Sequence, residues 1–260
     1  MELTHDSVTE HVIIREVLPG RIRHWLQLAL EDLQRASADA LFYGAIFVLM
    51  GYAATGFFSA TPLVVLILSS LFLLTGPFMA IGLYDLARQR EGIKRHGQVS
   101  LWRSLLAWRH NLQGISLYAA MLAVLAFCWF RLSLLLFTLF FGAAMLPSLG
   151  DILLHLSRTP NAAFLLSYFA AGLLFALVAF VASVIAVPMM LDKEVDTMTA
   201  MLISLRVVQK NIKTMTWWAA IIVVLTGIGL ATYLIGLVFT MPLIALASWH
   251  AYRDTVSYQY

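Results

Sequence analysis

Five stretches of the chain carry no Asp, Glu, Lys or Arg: residues 40–84, 111–130, 132–150, 159–191 and 214–252. A helix needs about 20 apolar residues to cross the hydrocarbon core of a bilayer. The first stretch has 45 residues and the last 39, so each holds two spans. Each also has a turn signal near its middle, Gly56-Phe57-Phe58-Ser59-Ala60-Thr61-Pro62 in the first and Gly229 to Gly236 in the last. The stretch 159–191 makes one long span, entered after Thr159-Pro160-Asn161. Arg131 interrupts the region 111–150. That region reads either as two spans, for seven in total, or as one span followed by a surface segment, for six.

The basic residues choose between the two counts, because Lys and Arg collect on the cytoplasmic side of membrane proteins. With six spans, 15 of the 17 Lys and Arg residues share one side; Arg158 lies opposite and Arg131 near the far interface. With seven, Lys193, Arg206, Lys210 and Lys213 move outside. The sequence therefore predicts six spans, at about 39–58, 62–84, 113–138, 162–188, 214–233 and 236–252, with both termini cytoplasmic. Residues 1–20 are a polar segment without the basic start and apolar core of a cleaved signal. Residues 21–260 form a single membrane domain.

Composition agrees. Hydrophobic residues make up 61% of the 260 and charged residues 12%, against roughly 25% charged in soluble domains. A soluble globular enzyme, a disordered chain and a disulfide scaffold are excluded; Cys128 has no cysteine partner. The net charge of +3 implies no nucleic acid, since the basic residues lie where anionic headgroups would be.

A charged, amphipathic stretch precedes each pair of spans: residues 21–35, 101–112 and 198–213. The apolar faces predicted are Ile22, Trp25, Leu26, Ala29, Leu30 and Leu33; Leu101, Leu105, Trp108 and Leu112; and Met198, Met201, Leu202, Leu205 and Val208. Such spacing suits helices lying in the cytoplasmic interface. Each stretch leads into an aromatic-plus-small start: Phe42-Tyr43-Gly44-Ala45, Leu117-Tyr118-Ala119-Ala120 and Trp217-Trp218-Ala219-Ala220. The returning spans carry Pro77, Pro188 and Pro242. Proline kinks a membrane helix and frees a carbonyl; as packing it shapes the bundle, as function it hinges a helix or lines a site. The expected fold is thus all-α: a polytopic membrane protein of six transmembrane helices arranged as three hairpins, each introduced by an interfacial helix, a threefold internal repeat with a longer middle unit.

The strings Gly76-Pro77-Phe78-Met79-Ala80-Ile81-Gly82-Leu83-Tyr84, Val187-Pro188-Met189-Met190-Leu191-Asp192, Ala200-Met201-Leu202-Ile203-Ser204-Leu205-Arg206 and Trp249-His250-Ala251-Tyr252-Arg253-Asp254 resemble a bacterial, mainly proteobacterial, family of predicted integral membrane proteins of unknown function. The resemblance implies an inner-membrane location and no established activity. Some relatives carry a label resembling cytochrome c oxidase subunit I. Haem-copper chemistry needs several histidines inside the bundle, and none of the seven here falls at mid-membrane, so the label fails as a catalytic claim.

Phosphate loops, His-Glu-x-x-His and Gly-x-Ser-x-Gly are absent from the sequence. No cofactor and no metal is expected. Ionisable residues at membrane depth are the usual functional hint. Asp85 and Arg88, and likewise His250 and Arg253, have i, i+3 spacing, and Asp192 follows the fourth span. They read either as a ring of solvated interfacial charges or as a cytoplasmic polar cluster, brought together if the proline-bearing helix ends converge. On the far side Asp151 and His155 are spaced i, i+4; two ligands are too few for a metal site, and a surface helix is the plainer reading. Function is then expected to be a non-enzymatic scaffold or accessory subunit contacting membrane lipids, other membrane proteins or further copies of itself. The alternative is a carrier or channel for a lipid-like or small amphipathic solute. A filled bundle would favour the first and a wide cavity the second.

Overall fold

The computed structural model describes residues 12–35, 37–56, 79–91, 99–141, 162–193 and 195–259. Pro77, Asp151 and His155, most of the span expected at 62–84 and the outer segment 142–161 lie outside the described residues.

The described chain is mostly helical. A short strand β1 (Val12–Ile14) leads to α1 (Arg21–Arg35) and α2 (Ser37–Gly56). Next come α3 (79–91), α4 (Leu101–Leu105), a 3-10 turn (Ala107–Asn111) and α5 (Leu112–Phe141). Then follow α6 (Ala162–Ser183), α7 (Ala186–Lys193), α8 (Thr197–Lys210), α9 (Ile212–Ala231), α10 (Leu237–Thr255) and β2 (Val256–Tyr258).

Among the described residues, three helical stretches are long and apolar enough to cross a membrane: Ala107–Phe140, Ala162–Lys193 and Ile212–Ala231. At about 1.5 Å per residue, the shortest reaches the roughly 30 Å of a bilayer core. Arg21–Arg35 with Ala38–Ala53, bent by 101°, add a fourth as a bent pair. Leu135, Leu139, Leu166, Phe169, Val223 and Val224 are each more than half exposed. Helices apolar all round place such side chains against lipid at no cost, where water would penalise them. The buried core gathers instead at the polar end of the bundle, where α10 packs against α1, α2 and α9, and α8 packs against α6 and α7.

The stretch 21–35 is one helix and buries Ile22, Trp25 and Ala29 as the pattern requires, though Leu30 is exposed. The stretch 101–112 is not one helix: α4 ends at Leu105 and a 3-10 turn takes the chain into α5. The third helix buries Val208 and half-buries Met201 as its pattern suggests, but the rest of its inward face is a different one. Thr197, Ala200, Ile203, Ser204 and Val207 point inward, whereas Met198, Leu202 and Leu205 are exposed. Small side chains let α8 approach its neighbours closely, and the large ones are equally satisfied against lipid.

The reason for the close approach is Ser204. Between α6 and α7 the helix breaks at Val184-Ile185, one turn before the buried Pro188. The Ser204 hydroxyl donates to the Val181 carbonyl at 2.6 Å and accepts from the Ile185 N–H at 3.3 Å. It thus stands in for the helical bond that the break removes. Pro242 lies inside α10 and has no N–H for the Val238 carbonyl. Gly44 of α2 packs on that carbonyl.

The strands were not anticipated by the all-α reading. Val12 pairs with Tyr258, Ile13 with Ser257 and Ile14 with Val256 in an antiparallel ladder. The N-terminal polar segment is therefore not separate over residues 12–20. Asn211, 4% exposed, accepts the Val17 N–H at 2.6 Å and donates to the Arg15 carbonyl at 3.0 Å. Arg21 forms a two-pronged pair with Asp254, both contacts 2.9 Å, and the Trp25 indole donates to the same carboxylate. Burial works to raise the Asp254 carboxyl, but these bonds hold it below its ordinary 3.8. A carboxylate lowered on folding stabilises the fold above its unfolded pKa, and that contribution goes as pH falls through the folded value. Wild type and Asp254→Asn are therefore expected to differ at neutral pH by at most about 1 kcal/mol, since Arg21 is half exposed and screened, and to converge in acid. Thermal melts between pH 7 and 3 check this; a gap that widens in acid would refute it.

Candidate functional site

Two features stand out: a polar layer at one end of the bundle and a cavity just inside it. The layer is built on the last turns of α1, α3, α7 and α10. Asp85 is fully buried. Its carboxylate receives Arg88 at 2.9 Å and the Gln89 amide at 2.6 Å. Arg88 also donates to the Leu191 carbonyl of α7 at 2.8 Å. Gln89 in turn accepts the Ser100 N–H at 2.8 Å, which fixes the entry to α4.

Arg253 joins three helices. Its guanidinium lies 3.1 Å from Glu91 on α3 and 3.5 Å from Asp192 on α7. Tyr252 donates to Asp192 at 2.8 Å, and the Trp249 indole to Glu91 at 3.1 Å. His250 has a separate partner, with its Nε2 2.8 Å from Asp32 of α1, whose backbone carbonyl takes Arg90. Of the five residues expected to cluster, Asp85 pairs with Arg88 and Asp192 with Arg253, and α3 meets α7 through Arg88. His250 does not join Asp85 or Asp192. His250 lies one turn before Arg253 on the same side of α10 and meets Asp32 of α1 instead.

Asp32, Arg90 and Glu91 were missed because each looks like an ordinary charge on an amphipathic face; nothing local links 32 to 250. A signal for Asn111 and Asn211 did exist. Each lies six residues before one of the aromatic-plus-small starts Leu117-Tyr118-Ala119-Ala120 and Trp217-Trp218-Ala219-Ala220. The Asn111 amide donates to the Met190 and Val195 carbonyls at 3.2 and 2.8 Å, and its oxygen accepts the Gly114 N–H at 3.0 Å. It thus ties the segment entering α8, as Asn211 ties the segment entering α1.

The cavity measures about 690 Å³ and is walled by α2, α3, α5, α6, α7, α9 and α10. Most of its wall is apolar: Phe47, Leu83, Leu122, Leu125, Trp129, Phe175, Phe180, Ile222 and Met241 among others. Its polar side chains are Tyr84, Tyr118, Ser183 and Ser248. The Tyr118 hydroxyl donates to Ser183 at 2.6 Å, and Ser183 donates on to the Ala179 carbonyl. The Ser248 hydroxyl, on the same wall as Tyr84, donates to the Ile244 carbonyl at 2.8 Å. Tyr84 directly precedes Asp85, so the hydroxyl end of the cavity abuts the polar layer. Cavities of this size, largely apolar with a few placed polar groups, are typical of small-molecule sites.

Among the described residues, no three His, Cys, Asp or Glu side chains come together as metal ligands. Residues 64–192, about half of the chain, match the sequence model of a family described as "Predicted integral membrane protein (DUF2189)". The chain is thus a predicted integral membrane protein of unknown function, with apolar helices. The match covers α3 to α7, which include the Asp85–Arg88 pair and most of the cavity wall. No curated protein and no solved structure shows detectable similarity to it.

Proposed function

We propose that the protein is a non-enzymatic carrier in the bacterial inner membrane that binds a lipid-like amphiphile in the cavity beside Tyr84 and Tyr118. The observation that carries this reading is the cavity itself, about 690 Å³ of mostly apolar space with hydroxyls at one end. Its apolar wall suits a hydrocarbon chain, and Tyr84, Tyr118, Ser183 and Ser248 supply the few polar groups that would orient a headgroup. Ala126→Trp places a large ring in the cavity wall. Native mass spectrometry after mild-detergent release is expected to show an amphiphile on the wild type and at least about tenfold less on Ala126→Trp. Equal loading of the two proteins at unchanged stability would refute the proposal.

The reading includes six spans in three hairpins, with the polar layer and both termini cytoplasmic. The contacts between successive units support it. Tyr43 bonds Ser104 of α4 at 2.8 Å, Asn111 holds the segment entering α8, and Trp218 packs edge-on against Trp25 of α1 with centroids 5.9 Å apart. Each unit grips the start of the next, as a threefold repeat closing on itself would require. In a Cys128→Ser background, a membrane-impermeant thiol reagent added outside is expected to label Ser157→Cys and not Ser100→Cys. The opposite result would overturn the orientation.

A further inference from the structure

The hydroxyl end of the cavity specifies its ligand further. We infer, resting on the binding reading above, that the ligand is an uncharged alcohol: a long-chain or polyprenyl lipid whose hydroxyl donates to the phenol oxygen of Tyr118. Two observations converge. First, no Lys, Arg or His lines the cavity among the described residues. The nearest guanidinium on α3, Arg88, is already committed to Asp85 and the Leu191 carbonyl. A phosphate seated beside the phenols would be a buried anion without a partner, which the apolar wall disfavours strongly. Second, the hydroxyls of Tyr118 and Ser183 run in a chain of fixed direction. Ser183 gives its proton to the Ala179 carbonyl and takes that of Tyr118. What the Tyr118 phenol retains is acceptor capacity. The complementary ligand group is therefore a donor, and a ketone, ether or ester is a poorer match.

The test is equilibrium binding of tritiated 1-hexadecanol to the purified full-length protein in detergent, competed by 1-hexadecanol, methyl hexadecyl ether and hexadecyl phosphate. The alcohol is expected to compete best. The ether, which cannot donate, is expected to be weaker by about threefold to tenfold, and the phosphate by about 100-fold or more. The variant Tyr118→Phe is expected to bind alcohol and ether alike, which a merely structural role for the tyrosine would not produce. Three competitors of equal strength, all blocked by Ala126→Trp, would overturn this inference and leave the binding reading standing, as would preference for the phosphate. Absence of saturable binding by any of the three would overturn both.

Discussion

Replacing Asp85 by Asn is expected to lower the stability of the detergent-solubilised protein by about 3 kcal/mol, while Glu31→Gln changes it by no more than about 0.5 kcal/mol. Both are carboxylates paired with an arginine on the same helix. Glu31 and Arg35 have side chains 55% and 75% exposed, 3.7 Å apart, and water already solvates each. Asp85 is wholly buried, and its two oxygens are committed to Arg88 and Gln89. Neutralising it leaves Arg88, a quarter exposed, without its countercharge in a low-dielectric setting. It also loosens the grip of Arg88 on Leu191 and of Gln89 on Ser100, so α7 and the entry to α4 lose a common anchor. Thermal or denaturant unfolding of the two variants side by side decides the matter. Equal melting would mean that the layer is a solvated charge ring and carries no part of the fold.

Gly44→Ala is expected to destabilise by about 3 kcal/mol or to prevent folding, because overpacking against backbone cannot be relieved by a rotamer change. A Cβ at Gly44 would overlap the Val238 carbonyl oxygen and lie 2.7 Å from the Val238 carbonyl carbon and Cα. That carbonyl is the one Pro242 leaves without its helical donor, so the glycine and the proline act together. The glycine lets α2 come close enough to cover the freed oxygen, a contact of the Cα–H···O kind found where membrane helices approach closely. Gly227→Ala on α9, where a Cβ meets nothing within 4 Å, is the control and should be neutral or slightly stabilising. Wild-type stability in Gly44→Ala would show that α2 and α10 do not meet at this point.

Much of this architecture is legible in the charge map. Stretches without charge mark most of α2, α6, α9 and α10, and two of them, divided by Arg131, mark α5, because a bilayer excludes ions far more strongly than a protein core does. The i, i+3 spacing of Asp85 and Arg88 also gives their pair directly, since helix geometry alone brings them together. Partners distant in sequence leave no such trace. Asp32 meets His250, and Glu91 meets Arg253, only because α10 packs between α1 and α3. The inward face of α8 was misread for a related reason. In lipid the largest apolar residues need not point to the core, and Ala200, Ser204 and Val207 do so because closeness matters more than hydrophobicity there. The strands Val12–Ile14 and Val256–Tyr258 are three residues each, too short for alternation to register. The cavity is least legible, for it is a property of seven elements at once.

The most direct measurement of the binding claim is photolabelling in native membranes with a tritiated hexadecanol analogue carrying a diazirine at mid-chain, followed by mapping of the labelled residues. Labelling is expected to concentrate on cavity-wall residues such as Leu122, Leu125 and Phe175 and to fall at least about tenfold in Ala126→Trp. Label spread evenly over the outward residues Leu135, Leu166 and Phe169, and unaffected by Ala126→Trp, would contradict it and leave a bundle that meets lipid only at its surface.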